Sequence, residues 1–123
     1  MEIADFNAYF QDILGTIQAV EHKKQAEYVP GGENDRLAHF KEIGAITGEP
    51  AHQALRGMMV KHTKSIYDML KSHDTTDYEY GVWAEKCIDH MVYLVLLMAI
   101  AKENDAVPTP ALEPVPVPAS NPY

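Results

Sequence analysis

Apolar residues recur at steps of three and four through most of this chain, and that spacing predicts helices rather than strands. Ile3, Phe6, Phe10, Ile13, Leu14, Ile17 and Val20 share one face of a helix running from about Glu2 to Lys24, with Glu2, Asp5, Gln11 and Gln18 elsewhere on the circumference. Gly15 lies inside this segment and marks a place where a second helix can cross closely. Pro30, Gly31 and Gly32 then break the pattern. Asp35 is placed to cap a short second helix that carries Leu37, Phe40, Ile43 and Ile46. After Thr47-Gly-Glu-Pro50, a third helix runs from about Pro50 to Ser72, with Leu55, Met58, Met59, His62, Ile66, Met69 and Leu70 on its apolar face. Thr76 and Glu79 have capping-box spacing for a fourth helix, from about Asp77 to Asn104.

The fourth helix carries the most information. From Met91 to Ala101 it is apolar around its whole circumference, so it needs cover on every side. The run is too short to cross a bilayer, which takes ~20 residues, and it reads as a core or interface helix. The remaining helices do not fully surround it, so a homodimer or higher homo-oligomer formed through it completes the core. The fold expected is therefore all-α: a four-helix core in the order long–short–long–long over residues 1–103, with a flexible Pro-rich tail over 104–123. That tail holds six of the eight prolines and lacks helical periodicity.

Composition narrows the function classes. The net charge of −8 removes the basic face that nonspecific binding to a nucleic-acid duplex requires, and disfavours anionic membrane surfaces. The start of the chain lacks the basic-then-apolar pattern of a secretion signal. The single cysteine, Cys87, sits in the most apolar helix and fits a reducing, cytoplasmic setting. Six scattered histidines show no metal-ligand spacing, Gly31-Gly32 is no Walker loop, and neither Ser65 nor Cys87 lies in a nucleophile motif. No catalytic residue is assigned.

Candidate ligand contacts come from charge in unusual places. Glu85 and Asp89 lie one turn apart on the stripe that leads into the apolar helix, and acids there are costly to bury without a partner. They can accept hydrogen bonds from a ligand, fix lysines, or hold magnesium, a hard cation that prefers oxygen ligands. Lys61 and His62 on the third helix face them if the third and fourth helices pack together, and a lysine can meet phosphate as a point charge. Lys64 reads as a solvent-facing residue, and Trp83 as a packing residue at the start of the fourth helix. Tyr28, at the edge of the loop, can stack on a base.

The pieces Glu27-Tyr28, Gly32, Asp35-Arg-Leu37-Ala-His-Phe40, Val60-Lys61-His62 and Glu85-Lys-Cys-Ile-Asp89-His-Met-Val-Tyr93 occur in an order that resembles small bacteriophage helical proteins of the nucleotide modification associated type. Those proteins are distantly similar to MazG-type all-α nucleotide pyrophosphatases. The resemblance spans about Glu21 to Lys102. It implies a phage-encoded protein working in the host cytoplasm on a small nucleotide, in nucleotide metabolism or by sequestering an immune signalling nucleotide. MazG-type hydrolases hold magnesium with two helical acid pairs. Here only Glu85 and Asp89 form an evident pair, and the position of the other reads Lys61-His-Thr-Lys64. His39 stands where the resemblance implies asparagine. The reversed charge favours direct phosphate contact over metal. The leading expectation is thus binding of a nucleotide without conversion by Tyr28, Lys61, His62, Glu85 and Asp89. A magnesium-dependent MazG-like pyrophosphatase and a non-catalytic protein-interaction module are the alternatives.

Overall fold

A computed structural model describes residues 1–29 and 31–105. The described residues are all helical, with no strand: α1 (Ile3–Tyr28), α2 (Ala38–Thr47), α3 (Ala51–Leu70), a 3-10 turn (Thr75–Asp77) and α4 (Tyr80–Glu103). The order long–short–long–long is as the apolar spacing predicts. The Pro-rich tail, beyond Asp105, lies outside the described residues.

α4 is the axis of the fold. Tyr9 meets Tyr80 through their hydroxyls at 2.7 Å, and Lys24 meets Asp89 further along both helices, so α1 and α4 run in the same direction. His62 lies against Tyr93, whereas His52 and Leu55 border a groove with Leu97, so α3 runs the opposite way. α2 packs on α3 and is tied to the end of α4 by a Lys41–Glu103 ion pair. The core joins Leu37 and Phe40, Ala54 and Leu55 of α3, and Val92, Tyr93, Leu96 and Ile100 of α4. Ile17 and Val20 of α1 reach its edge. No residue of α1 is fully buried.

Three local expectations are corrected. Asp35 does not cap α2, whose N-cap is Leu37 without a side-chain hydrogen bond; Asp35 instead accepts from the Leu37 amide at 2.9 Å and from Lys41, holding the turn before the helix. Those two donors keep the Asp35 carboxyl below the ordinary aspartate range, the Lys41 ammonium contributing most. The capping box is not Thr76 with Glu79. It is Asp74 with Asp77, two residues earlier, because the chain first closes the 3-10 turn and then restarts at Tyr80. Trp83 does pack at this junction, where its indole N–H donates to the Thr75 carbonyl at 2.8 Å and its ring meets Tyr78 edge-on.

The third correction concerns glycine. A Cβ on Gly15 would meet nothing within 4 Å, so no helix crosses there. The close approach is at Gly44, where a Cβ would lie 2.4 Å from the Glu49 carbonyl oxygen. The chain folds back at that point: Gly48 takes the left-handed conformation at φ 74°, and the Glu49 amide returns to the Gly44 carbonyl at 2.9 Å. Ala at these two positions should therefore act in opposite directions. Gly44→Ala is expected to lower stability by about 1–3 kcal/mol through overpacking against backbone, and Gly15→Ala to raise it by about 0.5–1 kcal/mol by restricting the unfolded chain. Thermal unfolding followed by circular dichroism checks both signs.

Candidate functional site

Charged and aromatic side chains from all four helices converge where α1 ends beside the middle of α4. The apolar stripe of α1 continues past Ile17 and Val20 to Lys24 and Tyr28, at the same three-to-four spacing, which swings both side chains over α4. Lys24 Nζ lies 3.7 Å from Asp89 Oδ1 and 5.7 Å from the centre of the Tyr93 ring. The ammonium is thus held by a carboxylate and by a ring face one turn along α4. Lys24 and Asp89 keep only 19% and 22% of their side chains open, so this pair is shielded from solvent far more than an ordinary surface pair.

The loop after α1 supplies the second cation. Arg36 donates through Nε to Glu21 Oε1 and through Nη2 to Oε2 at 3.2 Å, a two-pronged contact that fastens the loop to α1. Its remaining nitrogen, Nη1, is buried and finds no hydrogen-bond partner among the described residues. Rings surround these charges. Tyr28 packs on His39 at 5.1 Å between centroids, His39 meets Phe40 edge-on at 5.7 Å, and His62 packs on Tyr93 at 5.0 Å. Lys24, Tyr28, Arg36, His39 and Tyr93 border a narrow crevice of ≈ 10 Å³ floored by Phe40, Met58 and Leu96. That is room for about one water molecule.

Burial tunes the groups at the centre. The Tyr93 hydroxyl is held above the ordinary phenol range, chiefly by desolvation, with Tyr28 and Asp89 adding to the shift. The His62 imidazole is held below its ordinary value, again chiefly by desolvation; Asp89 opposes the shift, whereas Lys86, Lys24 and His90 reinforce it. Nδ1 of His62 and Nδ1 of His90 are both buried without a hydrogen-bond partner among the described residues. A buried polar atom left unpaired costs about 1–3 kcal/mol. Of these atoms, Arg36 Nη1 belongs to a residue that borders the crevice, and His62 packs beside it on Tyr93.

Of the five residues singled out from the sequence, Tyr28, His62 and Asp89 are brought together around Tyr93. Lys61 and Glu85 are not part of that group; both are exposed. The cation that meets Asp89 comes from α1, as Lys24, and not from α3. Lys64 is a surface residue paired with Asp68. Lys24, Arg36, His39 and Tyr93 were not assigned from the sequence. Lys24 was legible in principle, since extending the first helix by one turn places it on the stripe of Val20 and Tyr28. Tyr93 stands one turn after Asp89, on the same face.

These positions bear on magnesium. Asp89, the carboxylate that acts on both His62 and Tyr93 among the described residues, lies 3.7 Å from Lys24, while Glu85 stands in solvent. No cluster of three or more His, Cys, Asp or Glu side chains among the described residues is arranged to hold a metal ion. Glu85 and Asp89 thus differ in setting: Asp89 is partly shielded beside Lys24, and Glu85 is open to solvent.

No family model, no curated protein and no solved structure matches this chain. No helix among the described residues is long and apolar enough to cross a membrane.

The His62 shift makes stability depend on pH. The unfolded imidazole titrates near 6.5 and the native one lower, so the unfolded state binds more protons between them. Stability is full above about pH 7 and falls as the pH decreases through about 6.5 toward the native value. Chemical unfolding at pH 7.5, 6.5 and 5.5 should show that decline in the wild type and a shallower one in His62→Gln.

Proposed function

We propose that this protein binds a small nucleotide at the cluster around Tyr93, without converting it. The observation that carries this reading is the pairing of two shielded cations, Lys24 and Arg36, with the rings of Tyr28 and His39 in one crevice. A nucleotide is the small-ligand class that combines an anion with a flat π-system. Phosphate takes the spare Arg36 nitrogen and shares the Lys24 ammonium, and the base stacks against Tyr28 or His39 once these rings part. Asp89 then orients Lys24. Sequestration of a signalling nucleotide and a carrier role in nucleotide metabolism both use this chemistry.

Binding without turnover is favoured over hydrolysis by the engagement of Asp89. Attack of water on phosphorus in the MazG manner needs carboxylates free to hold a divalent ion, and the central one here lies 3.7 Å from the Lys24 ammonium.

A thermal-shift panel of linear and cyclic nucleotides, with and without magnesium, tests the proposal when followed by chromatography of each mixture. At least one nucleotide should stabilise the protein and be recovered unchanged. At a hundredfold excess over Kd the gain is about 2.7 kcal/mol. Lys24→Gln and Arg36→Gln should each abolish that gain, while Lys61→Gln should keep it, a contrast that follows from which cations are shielded. Release of pyrophosphate that stops with a chelator and with Asp89→Asn would establish the hydrolase instead. Silence across the panel would reject both.

A further inference from the structure

We propose that the open face shared by α1 and α4 is an interface between two copies of this chain. The inference is independent of the nucleotide reading, because none of Lys24, Tyr28, Arg36, His39 and Tyr93 lines its grooves.

On α4, Met91, Leu94, Val95 and Met98 follow one another at helical spacing on the side turned away from the core, and the last three are 41%, 57% and 61% exposed. On α1, Phe6, Phe10 and Leu14 are 50%, 50% and 42% exposed. The two sets adjoin. Phe6, Phe10 and Leu14 line one groove with Cys87 and Met91, of ≈ 240 Å³, and Leu14 lines a second with Val92 and Val95, of ≈ 520 Å³.

Area, charge and architecture together select a second copy as the occupant. At 150–250 Å² for a whole ring and less for an aliphatic chain, the open part of this face amounts to roughly 600 Å². That is the upper end of what a monomer leaves bare, and it approaches the roughly 800 Å² per partner of a standard stable interface. The exposed side chains at its centre, Phe6, Phe10, Leu14, Leu94, Val95 and Met98, are uncharged, and Glu21 and His22 stand at the border of the second groove. A two-fold axis sets each position against the same surface of its partner, so this uncharged centre meets itself without repulsion, although the chain as a whole carries −8. Finally, α1 and α4 lie side by side as an open two-helix layer. A second such layer turns it into a four-helix bundle and supplies the missing side of the apolar stretch Met91–Ala101. An anionic membrane is disfavoured by the net charge of −8.

Sedimentation equilibrium of the full chain tests this. The expected mass is twice 13.8 kDa at micromolar concentration. Met98→Lys and Phe10→Lys should each give monomers with helical circular dichroism retained, since both side chains stand at the surface of a single copy. Met98→Gln, which adds no charge, should raise the dimer dissociation constant about tenfold, and it keeps the test open if a lysine variant fails to fold. Tyr67→Lys, an exposed ring on α3, should leave the dimer intact. A wild-type monomer at all concentrations would overturn the proposal. So would assemblies that persist in the Met98 and Phe10 variants.

Discussion

One constraint organises this molecule: α4 is apolar on nearly every side from Met91 onward, and the other helices of the chain are too few to cover it. α3 takes one flank and α1 another, and α2 closes the end where Ile100 and Phe40 are buried. The inner stripe Ile88, Val92, Leu96 and Ile100 is sealed, whereas the outer stripe stays bare. Because α1 packs chiefly on α4 and buries no residue completely, the chain has an inner half that forms the core and an outer half whose apolar side chains stay exposed.

The polar cluster follows from the same arrangement. Where α1 runs out, the apolar supply ends, and Lys24 and Tyr28 continue its stripe over α4. There they meet Asp89 and Tyr93, one turn apart on the flank that faces both α1 and α3. Shielding costs each charge some hydration, which opposite charge and ring faces offset. The residual imbalance sits on Arg36 Nη1 and on His62 and His90 Nδ1, each buried without a partner among the described residues.

Much of the fold was readable from the chain. The four helices follow from apolar residues at steps of three and four, and Gly48 ends α2 in the left-handed conformation that glycine adopts without strain. Errors arose where a local signal competed with an equally good neighbour. Thr76 with Glu79 and Asp74 with Asp77 both fit the capping pattern, and the hydrogen bonds of the 3-10 turn chose the second. Gly15 and Gly44 are alike in sequence terms; only the return of the chain at Glu49 shows which one has a neighbour too close for a Cβ.

Periodicity by itself determined the number and order of the helices, the unbroken apolar character of α4, and the presence of acids at its head, because each of these is a property of residues adjacent in the chain. Tertiary structure decided which cation meets Asp89. Charge and spacing point to Lys61, but α3 presents His62 to Asp89 and leaves Lys61 in solvent, while α1, lying parallel to α4, carries Lys24 across. That choice depends on the rotation of each helix about its own axis, which packing of the buried side chains sets and no single helix encodes.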